Sequence, residues 1–268
     1  MNKTVGLYRD EMAKFLIKNK KLISKDSIVL RIKFPMLPGN WGEDFVPWDQ
    51  YPKSFCVMVG KDGLACKPYT PIDFTEEYMD LLIKMYPEGK VSRNLFDLKE
   101  GDTIFMKGPR EKFKIENLNL FNHDHDHEHE QTKIKRIFMF AGGTGISPMF
   151  QVLKYLITNQ TNIYCPKIIL TYCNKSRRDV LLEDELEDLK RLYPKPRMEI
   201  RHILEDQRGY ITEADVEESN GLDDYVLVCG PKAFNEFFVG NGNGSGNGND
   251  NVGVLRRKLF NSNQIFKF

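Results

Sequence analysis

The sequence has no apolar run long enough to span a bilayer. Its opening stretch, MNKTVGLYRDEMAKFLIKNKKL, has neither the apolar core of a secretory signal nor a glycine at position 2 for acylation. A cytoplasmic protein without an integral membrane segment is expected. Cysteine is sparse: Cys56, Cys66, Cys165, Cys173 and Cys229 are odd in number and include no Cys-x-x-Cys pair. That pattern argues against a disulfide scaffold, a zinc finger and a plant-type iron–sulfur centre. Nor is one sign of charge in excess, since 39 basic against 38 acidic residues leave a formal +1. The global field of a nucleic-acid-binding or membrane-surface protein is therefore missing. What is present is ordinary for a globular chain: 268 residues, 41% hydrophobic and 12% aromatic, enough for one large or two modest cores.

The texture changes along the chain. Residues 1–20 read as a charged, helix-compatible N-terminal arm with a thin apolar face of Met12, Phe15 and Leu16. Over 21–112, short strands separated by turns (LISKDSIVLRIKF, SFCVMVG, KPYTPI, YMDLLIKMY, GDTIFMKGP) predict an antiparallel β-barrel. Residues 113–135 read as a polar linker that contains HDHDHEHE. Over 136–268, strands alternate with helices (KIILTYCN, VLLEDELEDLKRLY, MEIRHIL, YVLVCGP, AFNEFF), the pattern of a doubly wound parallel sheet. The Asn/Gly-rich insert at 239–252 is expected to be disordered, because GNGNGSGNGNDN has almost no apolar area to offset its ordering entropy. The expected fold class is thus a β-barrel followed by an α/β domain.

The most informative stretch is IFMFAGGTGISPMFQVLKYL, from Ile137 to Leu156. Its first five residues are apolar without alternation, which suits a strand covered on both faces. Gly142, Gly143 and Gly145 supply a turn with little side chain, where backbone N–H groups can approach an anion. Ser147 can cap a helix, Pro148 fits its first position, and Met149, Phe150, Val152, Leu153 and Leu156 follow at helical spacing. The positive end of such a helix suits a pyrophosphate. Pro148 stands where the dinucleotide fingerprint has its third glycine, so the loop alone reads equally as a tight βα turn that binds nothing.

Five segments in order carry a resemblance: KPYTP (67–71), LLIKMY with GKVSRNLFDLKEGDTIFMKGP (81–109), AGGTGISPM (141–149), NKSRRDVLLEDEL (174–186) and VLVCGP (226–231), ending in Phe268. Together they resemble the ferredoxin–NADP reductase-like flavoproteins, and within them the NADH–cytochrome b5 reductases. The resemblance implies an FAD-binding barrel and an NAD(P)-binding sheet. It assigns Lys67, Pro68, Tyr69, Thr70, Leu82, Lys84, Tyr86, Gly89, Lys90, Val91, Ser92 and Ser147 to FAD. Among these, Tyr69 would lie along the isoalloxazine and ribityl region, and Thr70 would bond near the reactive N5. The amides opening a short helix at Gly89–Ser92 would hold the FAD pyrophosphate. It assigns Gly143, Thr144, Gly145, Glu205, Cys229, Gly230, Pro231 and Phe268 to NAD, with Thr70 and Cys229 closest to the chemistry. Read without the resemblance, Cys229 is a small core residue ending a strand, KPYT a strand end with a proline turn, and Phe268 a docked tail. Lys67 stands where the family has arginine, a point charge in place of a bidentate fork, and Glu111 stands where relatives have glycine.

The implied activity is hydride transfer from NADH to FAD, followed by release of single electrons to a separate acceptor, cytochrome b5 or another one-electron carrier. NADPH stays open as donor: Glu205 would accept from a ribose 2′-OH, whereas Arg177 and Arg178 would suit a 2′-phosphate. A related flavin reductase for ferredoxin, quinone or a ferric chelate shares the same signals. No nucleic-acid partner and no metal site in the enzyme are expected, and the chain is expected to be a monomer. His123, His125, His127 and His129 support a reading of another class, a metal buffer, against a solvated low-complexity loop. Deleting residues 122–130 discriminates: NADH-dependent dye reduction is expected to stay unchanged, and its loss would tie the histidines to the main activity.

Overall fold

The computed structural model describes residues 3–34, 37–38, 43–120, 133–161, 163–240 and 252–268. The His-rich stretch, and all of the Asn/Gly-rich insert except Val239, Gly240 and Val252, lie outside the described residues, and with them the expectations of metal buffering and disorder. The chain divides into two compact units, up to Phe113 and from Lys114.

The first unit corrects the reading of residues 1–20. They form β1 (Lys3–Thr4), β2 (Gly6–Tyr8) and most of β3 (Ala13–Ser24), not a helical arm. Phe15 and Ile17 are buried while Leu16 between them is 43% exposed. Burial therefore has a period of two, and the apparent stripe through Leu16 does not exist. β3 turns through Lys25 and Asp26 into β4 (Ser27–Lys33), and the Asp26 carboxylate accepts from both flanking hydroxyls, Ser24 at 2.9 Å and Ser27 at 3.0 Å. β5 (Leu37–Pro38) pairs with β1, and β6 (Phe45–Pro47) with β2. The main sheet is completed by β7 (Phe55–Gly60), β8 (Lys67–Tyr69), β9 (Pro71–Phe74), β10 (Tyr78–Lys84) and β11 (Thr103–Glu111), with helix α1 (Lys90–Phe96) between the last two.

Its seven strands run in the order β8-β7-β11-β3-β4-β10-β9 and every pair is antiparallel. The two edge strands, β8 and β9, are consecutive in the chain and separated by Thr70 alone. A seven-stranded sheet can meet that constraint only by curling until its edges adjoin, which makes a barrel with its seam at Thr70. Ile28, Leu30, Ile32, Met79, Leu81 and Ile83 alternate inward along β4 and β10 and are fully buried, and Leu95 of α1 joins the same core.

The second unit opens inside the stretch read as a polar linker. Ile115, Leu118 and Leu120 are buried, and the Leu120 carbonyl accepts from the Tyr164 N–H at 2.7 Å, so residues 114–120 are packed structure. There follow β12 (Arg136–Gly142), α2 (Ile146–Thr158), β13 (Lys167–Asn174), α3 (Glu183–Leu192), β14 (Met198–Leu204), the single turn α4 (Glu205–Arg208), β15 (Asp224–Cys229), α5 (Lys232–Val239), α6 (Val254–Arg257) and β16 (Ile265–Lys267). The terminal strand β16 has no counterpart in the sequence reading, because three residues carry too little periodicity to be seen. The sheet order is β14-β13-β12-β15-β16, all parallel. The chain therefore builds outward to one side from β12, then returns to add β15 and β16 on the other. The switch point lies between β12 and β15, and in such sheets ligands bind beyond the carboxyl ends of the strands at that point.

At the opposite, amino end the same two strands are locked by charge. The Arg136 guanidinium donates to both oxygens of Asp224 at 2.7 and 2.6 Å. Asp224 is wholly buried and also accepts from the Ser219 hydroxyl and the Asn220 N–H. Removing one member of a buried, hydrogen-bonded pair strands the other. Asp224→Ala is expected to cost about 3–5 kcal/mol in urea denaturation; a loss below about 1 kcal/mol would show the pair to be a surface-like contact.

Candidate functional site

In the barrel the seam gathers most of the residues assigned to a flavin. Lys67 and Pro68 are exposed on edge strand β8, level with Val59 and Met58 of β7. Tyr69 is half-buried against the barrel core, and burial, with Tyr86 adding, pushes its phenol up to about 12. Tyr69 is accordingly protonated at neutral pH and able to donate. Thr70 is the one residue between the two edge strands, where backbone groups leave the ladder.

Tyr86 is followed by a turn in which the Gly89 N–H donates to the Tyr86 carbonyl at 2.9 Å. Ser92 closes it, its hydroxyl accepting from the Tyr86 N–H at 3.2 Å and donating to the Gly89 carbonyl at 3.0 Å. Ser92 is thus the third residue of α1, stapling backward, while Gly89 occupies the cap position without a side-chain bond. The amides of Lys90 and Val91 open this helix, and the Val91 side chain anchors it in the core. A Cβ on Gly89 would lie 2.4 Å from the Ser92 hydroxyl, so the turn needs glycine. The uncapped amides, the phenol and the seam hydroxyl present donors suited to a phosphate-bearing, ring-bearing cofactor.

Leu82 and Lys84 point to the face of β10 opposite the core residues Leu81 and Ile83. Lys84 is engaged there by Asp26 at 3.4 Å. Glu111 ends β11 as an ordinary strand residue level with Phe55.

In the second unit, residues assigned to the nucleotide converge on the switch point. β12 ends at Gly142, and Gly143–Gly145 forms a tight turn leading directly into α2. Gly143 has φ +54°, with open space where a Cβ would stand. A Cβ on Gly145 would lie 2.0 Å from the Cys229 carbonyl oxygen, so the turn is pressed against the end of β15. Among the described residues no side chain caps α2. Ser147 is the second residue of the helix and buried, which corrects its reading as the cap; Gly145 takes that place because the turn flows into the helix without a break. The start of α2, without a side-chain cap and beside an unhindered glycine, forms a cradle that fits a pyrophosphate.

Cys229 ends β15, and Gly230 and Pro231 turn the chain into α5. The Phe268 N–H donates to the Val228 carbonyl at 3.0 Å, which brings the backbone of that residue beside the same strand end. Thr144 lies within the glycine turn. Glu205 follows β14, two strands away on the same carboxyl edge. Of the two arginines in NKSRRD, Arg177 is tied to Glu183 and Arg178 is exposed.

Asn235 went unnoticed in the sequence. Its side-chain amide donates to the Gly230 carbonyl at 3.0 Å and braces the turn after Cys229. An asparagine among the apolar residues of AFNEFF was the available signal. Among the described residues no group of three or more His, Cys, Asp or Glu side chains is placed to hold a metal ion, and no helix is long and apolar enough to cross a membrane.

Comparison with known proteins identifies both domains. Residues 14–115 match the oxidoreductase FAD-binding domain and residues 139–239 the oxidoreductase NAD-binding domain. The chain is 30% identical over 222 residues to NADH-cytochrome b5 reductase 2-A of Vanderwaltozyma polyspora, covering 79% of this chain and 70% of that one. It is 33% identical over 221 residues to an NADH-cytochrome b5 reductase-like protein of Arabidopsis thaliana, covering 78% of this chain and 62% of the relative. In fold it is similar to the cytochrome b5 reductase domain of Ulva prolifera nitrate reductase, with TM-score 0.70, 24% identity, and 98% and 99% of the two chains covered.

The two glycines of the nucleotide turn should respond differently to a methyl group. Gly145→Ala meets a backbone carbonyl and is expected to cost about 2–3 kcal/mol. Gly143→Ala meets open space and pays only for its left-handed backbone, about 1 kcal/mol. Thermal denaturation of the two variants checks this, and an equal fall in Tm would contradict the close packing at Gly145.

Proposed function

The chain belongs to the NADH-cytochrome b5 reductase family, and from that membership we propose that it takes a hydride from NADH onto FAD and passes electrons singly to a heme protein, cytochrome b5. That it is an FAD- and NAD(H)-binding oxidoreductase follows from its two matched domains. The finer assignments, namely the acceptor, the preference for NADH, action as a monomer and a cytoplasmic setting, are our reading. What supports it most is the switch point of the parallel sheet, where an uncapped glycine turn abuts Cys229 beside Phe268.

Bound FAD would supply the redox chemistry, accepting electrons as a pair and releasing them one at a time. The protein's part is binding and orientation. We assign the flavin phosphates to Lys67 and the amides at Gly89–Ser92, the ring system to Tyr69 with Pro68, Leu82 and Tyr86 near it, and the flavin edge to the Thr70 hydroxyl. Lys84, held by Asp26, supports the β10 side of that site. On the nucleotide side we assign the pyrophosphate to Gly143–Gly145, the nicotinamide to Thr144, Cys229, Gly230 and Pro231 with Phe268 beside them, and the adenosine ribose to Glu205. A carboxylate there accepts from a 2′-hydroxyl and repels a 2′-phosphate. Arg177 does not offset this, because Glu183 already engages it.

The purified protein should be yellow and should bleach on anaerobic addition of NADH. Its kcat/KM should favour NADH over NADPH by more than about tenfold. Protein that stays colourless after reconstitution with FAD would overturn the activity, and a preference for NADPH would overturn the role of Glu205.

A further inference from the structure

The carboxyl end of β13 carries a polar group with no part in the assignments above. Asn174, the last residue of that strand, is 4% exposed, and neither its amide nitrogen nor its carbonyl oxygen has a hydrogen-bond partner among the described residues. Buried polar side chains are bonded in the large majority of cases, and each unsatisfied group costs about 1–3 kcal/mol. A leucine of similar volume would avoid that cost. The fold therefore retains a destabilising group at this position, which is understandable if something outside the polypeptide completes it.

Its place in the sheet indicates what that is. Cys173 is level with Gly142 of β12, and Asn174 is level with Leu204 of β14, the residue before Glu205. The Lys175 carbonyl accepts from the Asp206 N–H at 3.0 Å and draws the loop after β13 against the start of α4. Asn174 thus ends the strand lying between the one that leads into the Gly143–Gly145 turn and the one that leads into Glu205, about 4.8 Å from each. A dinucleotide at this switch point crosses the carboxyl ends of the strands. With its pyrophosphate at the glycine turn and a ribose at Glu205, the part crossing β13 belongs to the adenosine half.

We propose that the Asn174 carboxamide is a recognition contact for the adenosine half of NAD(H), donating to and accepting from a group that can do both, as a sugar hydroxyl can. The inference rests on the nucleotide reading given above. It differs from that reading in assigning an energetic role to a buried amide rather than to the glycine turn or the acidic residue.

The test uses the full chain loaded with FAD and the variant Asn174→Leu. Without nucleotide its Tm should equal or exceed that of the parent, since the unsatisfied groups are gone. The rise in Tm produced by NAD+ should shrink, and KM for NADH should rise about tenfold with kcat retained. With reduced nicotinamide mononucleotide, which lacks the adenosine half, kcat/KM should stay within about twofold of the parent. Asn174→Ala, which adds no bulk, should raise KM for NADH likewise and serves if leucine is not accommodated. An unchanged KM for NADH, an equal loss with the mononucleotide, or a lower Tm without nucleotide would overturn the proposal and assign the amide a structural role. If the parent itself is reduced by neither donor, the nucleotide reading has failed, and this inference with it.

Discussion

The second unit is built around a contact that only glycine permits. The turn after β12 lies so close to the end of β15 that a methyl group on Gly145 would overlap the Cys229 carbonyl. These are the two strands flanking the switch point, and at their other end they are held by the buried Arg136–Asp224 pair. A strand pair fixed at its amino end by charge and at its carboxyl end by close packing leaves little freedom for the turn between. Uncapped amides held that rigidly are preorganised for an anion, which avoids an ordering cost on binding.

The barrel reaches a comparable end by different means. Its closure is a consequence of connectivity, since the two edges of the sheet are joined by one residue. Thr70 must occupy the seam, and its backbone lies where the ladder is interrupted. The Thr70 hydroxyl and the half-buried Tyr69 are therefore presented by the sheet of the domain rather than by a free loop. Ser92 extends the same logic to the neighbouring turn, binding Tyr86 and Gly89 together so that the first amides of α1 stay uncovered. In both units a helix opens on amides without a side-chain cap, behind a turn fixed by glycine.

The polar residues that brace these sites are not equally satisfied. Ser92 and Asp224 meet several partners, whereas the Asn174 amide meets none among the described residues. Unmatched buried groups of this kind are uncommon in natural folds, and functional sites are among the places that hold them. The contrast between a saturated anchor at one end of the sheet and an unsaturated amide at the other matches the division between a structural end and a binding end in parallel α/β sheets.

Much of this protein was legible in the order of its residues. Apolar runs at 137–141 and 168–173, the glycines at 142, 143 and 145 and the strand-and-turn rhythm after residue 21 sufficed for a barrel followed by a parallel-sheet domain. These features are local: burial on both faces, positive φ and strand periodicity all leave marks within a few residues. The N-terminal strands escaped because Leu16 mimicked a helical stripe, and β16 because three residues have no measurable period. Which side chain stands at a seam, which glycine meets a carbonyl 84 positions away and which buried amide goes unpaired were decided only by tertiary structure. Those properties depend on long-range pairing, and no window of sequence records the partner that packing will bring.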